Sequence, residues 1–124
     1  MYFLDLFRNT VIQGKKTGDW VNVRKTANYM SMDPVTDVTS KSMACYQLSL
    51  GDEGAVTYNI TAGDMMGYAA YQVIAHPGPI SLWMARAPEG QTANTMTGEG
   101  SIWFKIHQDY PTMTGNSLSW PSLG

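Results

Sequence analysis

Two histidines and one cysteine are the side chains of this 124-residue chain best suited to bind a metal or to react as a nucleophile. Imidazole is the commonest protein ligand for a transition metal and titrates near neutral pH. His76 opens the turn His76-Pro77-Gly78-Pro79 between two apolar segments, where the rigid proline backbone would hold the ring at the edge of a sheet. His107 ends an alternating segment on the same face as Trp103 and Lys105, which solvent exposure explains. We therefore consider His76 the candidate metal ligand and assign His107 no role.

Patterns typical of an activated nucleophile or a zinc-bound water are missing from the sequence. Neither Gly-x-Ser-x-Gly nor His-Glu-x-x-His occurs, and Cys45 does not lie beside a glycine-rich turn. A single cysteine also excludes an internal disulfide and zinc sites built from several thiolates. Most aspartates lie in turn-like contexts, which favours structural roles over paired carboxylates for sugar hydrolysis.

The charge balance argues against partners that are large anions. Eight basic residues stand against ten acidic residues, for a net charge of -2, and no basic run occurs. No apolar run reaches the roughly 20 residues that cross a bilayer. We therefore expect neither nucleic acid nor membrane as a partner. No secretory signal is visible, because Asp5 interrupts the first apolar run; either a signal was removed or the chain never had one.

Short alternating segments bounded by turn residues predict an all-β fold. Twelve glycines, seven tyrosines and four tryptophans fit short strands better than long helices. The polar stretches 26–42 and 88–100 are predicted to be loops, and Gly51-Asp52-Glu53-Gly54 a hairpin turn. The pattern predicts one domain over residues 1–124, an antiparallel immunoglobulin-like or fibronectin III-like β-sandwich of about seven strands with long loops. The predicted strands are Val21–Val23, Tyr46–Leu50, Val56–Ile60, Met65–Val73, Ile80–Ala85 and Ile102–His107.

The tail from Pro111 to Gly124 is dominated by Thr, Ser, Gly, Asn and Pro, and it is predicted to be a long loop. A domain normally ends on a strand or helix that is tied down. We therefore expect the sandwich to be truncated at its C-terminal side.

Six segments occur in an order that is similar to one known family. The chain resembles the fungal cellulose-active lytic polysaccharide monooxygenases, auxiliary activity family 9, formerly a glycoside hydrolase family. The resemblance covers the chain from about Thr17 to Trp120 and implies an immunoglobulin-like sandwich. The segments that carry it are Thr17-Gly18-Asp19-Trp20-Val21-Asn22-Val23-Arg24, Pro34-Val35-Thr36-Asp37-Val38-Thr39-Ser40, Met43-Ala44-Cys45, Thr61-Ala62-Gly63-Asp64, His76-Pro77-Gly78-Pro79 and Trp103-Phe104-Lys105-Ile106-His107-Gln108-Asp109.

The resemblance implies one copper ion, held by the amino group and imidazole of an N-terminal histidine together with a second imidazole. The second histidine corresponds to His76, whereas position 1 is Met1, which has the amino group and lacks the imidazole. The axial tyrosine of such a site, and the cysteine that would pair with Cys45, would lie beyond Gly124. The sequence therefore predicts a family member that is incomplete at both ends.

Two functions remain open at this point. The resemblance implies an extracellular enzyme that uses copper and an external electron donor to cleave cellulose or a related β-glucan oxidatively, with this chain impaired by its incomplete copper site. The alternative is a non-catalytic module that binds polysaccharide or keeps only the scaffold. In either case Tyr29 and Trp120 are candidates for stacking on sugar rings, although packing beneath the loops explains them as well.

Overall fold

A computed structural model describes residues 6–49 and 54–121. Short strands dominate it, and its one helix within those residues is a single turn. None of the helices in these ranges is long and apolar enough to cross a membrane. The elements are β1 (Phe7–Ile12), β2 (Lys15–Lys16), α1 (Ser42–Cys45), β3 (Met66–Ala70), β4 (Ser81–Ala85), β5 (Trp103–Gln108), β6 (Thr112–Thr114) and β7 (Ser117–Ser119). Every ladder is antiparallel, which confirms the predicted all-β fold class.

The first sheet has the strand order β2-β1-β3. A two-residue turn joins β1 to β2, and both of its residues have positive φ, 48° at Gln13 and 78° at Gly14. Such a turn twists in the direction that a β-hairpin requires. The alternation of apolar and polar residues, which we call the alternation rule, does not predict β1 because its two most buried residues, Asn9 and Thr10, are polar. Each of them is only 3% exposed.

The second sheet is the ribbon β4-β5. Its register pairs Trp83 with Lys105 and Leu82 with His107, so Ile106 is one extra residue in β5. A bulge of this kind reverses the alternation of side chains beyond it. His107 therefore lies opposite Leu82 and not on the face of Lys105, and the predicted alternation across the whole of β5 is wrong at this point.

The tail predicted to be a loop contains a third sheet instead. Strands β6 and β7 pair from Thr112 with Ser119 to Thr114 with Ser117. Gly115 has a φ of 62° and occupies the first position of the two-residue turn, where glycine is favoured. The prediction failed because the strand residues are mostly Ser and Thr, which turns also favour.

Three predicted strands are wrong within the described residues. Segment 21–23 is a bend, segment 54–60 has no ladder, and Gln47 forms only an isolated bridge with Thr26. A single backbone bond, 2.8 Å from the Val56 nitrogen to the Val21 oxygen, joins the first two segments. Alternation marks a strand only where a partner supplies a continuous ladder. Residues 51–53 of the predicted hairpin turn lie outside the described residues, whereas the loops predicted at 26–42 and 88–100 do lack strands.

A guanidinium group joins the loops. Arg24 Nη1 donates to Gln47 Oε1 at 2.6 Å and to the Met96 carbonyl at 2.9 Å, and Nη2 donates to the Ala93 carbonyl at 2.5 Å. Met96 is 8% exposed and is one of three buried hydrophobic residues in the described chain, with Leu6 and Ile12. Because few hydrophobic residues are buried, polar contacts such as these hold loop 88–100 against the segments that contain Arg24 and Gln47.

Candidate functional site

His76 lies in the irregular segment that joins β3 to β4, and its side chain is half-buried. The turn of Pro77, Gly78 and Pro79 follows it, as the sequence predicted. Proline fixes φ on both sides of Gly78, so the segment has few alternative backbone conformations. The structure thus places His76 between β3 and β4, and its position at the edge of a sheet stays a prediction.

The start of the described chain runs beside the segment that leads to His76. Phe7 pairs with Ala70 in the β1-β3 ladder, and the Tyr71 nitrogen donates to the Leu6 carbonyl at 2.7 Å. The two backbones are antiparallel here, so moving toward the N-terminus on one strand corresponds to moving toward His76 on the other. Met1, the other predicted ligand, lies outside the described residues.

A cationic and aromatic cluster fixes this end of the ladder. The guanidinium carbon of Arg8 lies 3.2 Å from the centre of the Tyr71 ring. Arg8 Nη2 also lies 3.1 Å from Asp19 Oδ2, and the Arg8 side chain is only 18% exposed. The buried Asn9 amide donates to Asp19 Oδ1 at 2.8 Å. Arg8 is therefore held between a carboxylate and a ring, directly beside the backbone bond at Tyr71.

No local pattern in the sequence indicates this cluster, because Tyr71 is distant in the chain from Arg8 and Asp19. Arg8 lies in a strand that the pattern did not predict, and Asp19 was assigned only to a turn. The side chains meet because β1 pairs with β3 and because the Trp20 nitrogen donates to the Arg8 carbonyl at 2.8 Å. Only the pairing of distant segments could have identified it.

Cys45 ends α1 and is a free thiol. Its sulfur lies against Gly98, where an added Cβ would come within 3.3 Å of Sγ and of the Trp103 ring. Burial raises the pKa of the Cys45 thiol, and the positive charge of Arg24 opposes this increase. Cys45 also lines an open depression of about 400 Å³ with Lys41 and Glu99. The predicted disulfide stays a prediction.

The donor set in the described residues does not form a copper site by itself. Nowhere in residues 6–49 and 54–121 do three His, Cys, Asp or Glu side chains converge to hold an ion. His107 lies in β5 of the second sheet, where its Nε2 is 3.0 Å from Asp109 Oδ1. The role of His76 as a copper ligand therefore stays a prediction.

The two predicted sugar-stacking residues are both half-buried. The Tyr29 ring meets Trp20 edge to face, with centroids 6.2 Å apart and planes at 84°. The Lys25 ammonium lies 5.5 Å from the centre of the same ring. Trp120 directly follows β7. Tyr29 thus has packing partners within the chain, and its role in sugar stacking stays a prediction.

Comparison with known families agrees with this architecture. The sequence model described as "Auxiliary Activity family 9 (formerly GH61)" matches residues 5–123. The chain belongs to this family. The AA9 match covers all described elements from β1 to β7, and the resemblance found in the sequence is confirmed.

Curated relatives are similar along nearly the whole chain. AA9 family lytic polysaccharide monooxygenase A of Thermothielavioides terrestris is 44% identical over 119 residues, which are 95% of this chain and 51% of the relative. AA9 family lytic polysaccharide monooxygenases H and C of Malbranchea cinnamomea are 42% and 39% identical, again over 95% of this chain and 51% and 50% of the relatives. The chain therefore spans about half the length of the curated relatives it matches.

Proposed function

We propose that this chain takes part in the oxidative cleavage of a polysaccharide, cellulose or a related β-glucan, with His76 as a copper ligand. AA9 membership supports the reaction class, because the similar curated proteins are named lytic polysaccharide monooxygenases. The pairing of Leu6 with Tyr71 carries the assignment of the site. An external electron donor and an extracellular location belong to the same proposal.

The described backbone brings the N-terminal strand beside the segment that leads to His76. The Tyr71 nitrogen bonds the carbonyl of Leu6, the first described residue. The β1-β3 ladder ends at Ala70 and residues 71–80 are irregular, so the register itself does not extend to His76. The amino nitrogen of position 1 as the partner of the His76 imidazole is what the family resemblance implies.

Copper, when bound, would supply the one-electron chemistry with oxygen that cleavage of an unactivated sugar requires. Two nitrogen donors, the Met1 amine and the His76 imidazole, are one fewer than the three that the family resemblance implies. We therefore assign this chain weak copper binding, and we assign no catalytic step to its residues. The positioning role falls to Arg8 and Tyr71, which hold the strand ends together beside the site.

Calorimetric titration with Cu(II) tests the assignment. We expect one weak site in the unaltered chain, loss of that site in His76→Ala, and no change in the matched control His107→Ala. The control replaces the other histidine, which lies in β5 beside Asp109. Equal binding by His76→Ala and the unaltered chain, or nanomolar affinity in the unaltered chain, would contradict the proposal.

A second candidate function is polysaccharide binding without catalysis. The half-buried Trp120 beside β7 favours it, because part of the indole stays accessible for stacking on a sugar ring. Binding of the chain to insoluble cellulose, measured by depletion from solution, tests this function. We expect Trp120→Ala to weaken binding, whereas Tyr29→Ala should weaken it less because Trp20 already packs against that ring. Binding that Trp120→Ala leaves unchanged would refute it.

A further inference from the structure

The triplet Asn59-Ile60-Thr61 matches the acceptor sequence for N-linked glycosylation, Asn-x-Ser/Thr with any residue except Pro in the middle. The chain contains six asparagines, and only Asn59 has Ser or Thr two positions later. Such triplets also occur by chance, so the motif alone does not identify a modified residue. The surroundings of Asn59 in the structure provide the further evidence.

The acceptor triplet is accessible. All three of its residues are exposed, and they lie in segment 54–61, which is neither strand nor helix. Within the described residues, Asn59 takes part in no hydrogen bond or ion pair. A sugar on the amide nitrogen of Asn59 would therefore break no contact that holds the described chain together, and solvent surrounds the place where it would be attached.

The backbone is held on both sides of Asn59 by other residues. Before it, the Val56 nitrogen donates to the Val21 carbonyl at 2.8 Å. After it, the Thr61 nitrogen donates to Asp64 Oδ2 at 2.9 Å, and the Asp64 nitrogen donates to the Thr61 carbonyl at 3.0 Å. The hydroxyl of Thr61, which the acceptor sequence requires, takes no part in this turn. Asn59 thus lies on a short exposed segment between two fixed points.

The segment around Asn59 also has the composition of a strand that pairs with other molecules. Residues 55–61 contain no charged residue, no Pro and no Gly, and most of them are β-branched or aromatic. Val56, Tyr58 and Ile60 are 61%, 54% and 45% exposed, and no ladder covers their backbone. An uncovered segment of this kind is prone to aggregate. A bulky, hydrated glycan at its middle residue would block such pairing.

We propose that Asn59 is an N-glycosylation site and that its glycan shields segment 55–61 from aggregation. In the transfer, the Asn59 amide nitrogen forms a bond to C1 of the first sugar of a lipid-linked oligosaccharide diphosphate. The bond from C1 to the diphosphate oxygen breaks, and the amide nitrogen loses one proton. The transfer occurs in the secretory pathway, so the assignment rests on the extracellular location that belongs to the proposed function.

Secretion of the 124-residue chain from a eukaryotic host, behind a cleavable signal peptide, tests the site. We expect a mass above that of the polypeptide. Peptide-N-glycosidase should remove the excess and convert Asn59 to Asp, which tandem mass spectrometry locates. Because the signal is supplied and the readout is mass, failure of copper binding would refute the proposed function and leave this result unchanged.

Matched variants isolate the acceptor. Asn59→Gln and Thr61→Ala should lack the glycan, whereas Thr61→Ser keeps the hydroxyl and should retain it. Asn116→Gln is the control, because Asn116 is exposed but has Leu118 two positions later, and it should be glycosylated like the unaltered chain. An unmodified Asn59 in the secreted chain, or a glycan that persists in Asn59→Gln, would overturn the site.

Light scattering at increasing concentration tests the shielding. We expect Asn59→Gln and Thr61→Ala to aggregate at lower concentrations than the unaltered secreted chain, and Thr61→Ser and Asn116→Gln to behave like it. Far-UV circular dichroism checks that all four variants keep the fold. Equal aggregation of the glycosylated and unglycosylated chains would overturn the shielding role.

Discussion

Two different substitutions of Asp19 separate two contributions to the stability of the β1-β3 ladder, the ion pair with Arg8 and the hydrogen bond from Asn9. One carboxylate oxygen accepts from the Asn9 amide at 2.8 Å, and the other lies 3.1 Å from Arg8 Nη2. Asp19→Asn keeps an acceptor for Asn9 and removes the charge opposite Arg8. Asp19→Ala removes both. The two variants therefore differ mainly in the hydrogen bond to the buried Asn9 amide.

The expected sizes follow from burial. Asp19 is 52% exposed, so the ion pair with Arg8 is screened by solvent and its loss in Asp19→Asn should cost about 0.5–1 kcal/mol. Asn9 is only 3% exposed, and its second amide hydrogen loses its acceptor in Asp19→Ala. A buried donor left without a partner costs about 1–3 kcal/mol. We therefore expect Asp19→Ala to be the less stable variant by that amount.

Urea unfolding followed by tryptophan fluorescence measures both values. Thermal melts should show the same order, with a lower midpoint for Asp19→Ala of roughly 4 °C per kcal/mol. The control is Asp33→Ala, which removes an exposed carboxylate elsewhere in the chain and should change stability little. Equal stability of Asp19→Ala and Asp19→Asn would refute the role assigned to the Asn9 hydrogen bond.

Three further predictions concern the loops and the thiol. Arg24→Lys should destabilise the chain by about 1–3 kcal/mol, because one ammonium cannot bond the Gln47 oxygen and both carbonyls at once; unfolding midpoints equal to those of the unaltered chain would count against this. Alkylation of Cys45 by iodoacetamide should be slow at neutral pH and faster in alkali, because burial raises the thiol pKa above its ordinary value of 9.0; a rate equal to that of a free cysteine peptide would contradict it. The raised pKa also predicts that ionisation of Cys45 does not change the free energy of unfolding below about pH 9. Above that pH the free energy of unfolding should fall, since the thiol ionises in the unfolded chain while it stays protonated in the folded chain. Cys45→Ser should remove this decrease at alkaline pH.

The elements that the sequence predicted well are those whose apolar residues dominate a short segment. Strands β3 and β4 fall within the predicted segments, and β5 exceeds its predicted segment by one residue, Gln108. The alternation rule finds these strands because their segments are rich in aromatic and aliphatic residues. The same rule failed for β1, which buries Asn9 and Thr10, and for the β6-β7 hairpin, which is rich in Ser and Thr. In those segments the strand is fixed by pairing and by turn geometry at Gly14 and Gly115, not by hydrophobic alternation.

The candidate site was predictable only in part. His76 could be found because the Pro-Gly-Pro turn marks it locally. The supporting contacts of Arg8 with Tyr71 and Asp19 join residues far apart in the sequence, and a single sequence holds no signal for such contacts. The bulge at Ile106 was equally hidden, because an extra residue in one strand becomes visible only against its partner strand.

The central claim is that position 1 and His76 face one copper ion, and the Cu(II) affinity of Met1→His with a free amino terminus tests it most directly. The change adds one imidazole beside an amine that is already present. In metal sites, loss of a residue that only hydrogen-bonds to a ligand changes the metal affinity about 10- to 100-fold. We predict that the added imidazole, which binds the ion directly, tightens Cu(II) binding by more than this. We also predict that the added His76→Ala substitution removes this gain. An affinity equal to that of the unaltered chain, or a gain that persists when His76 is replaced, would contradict the shared site.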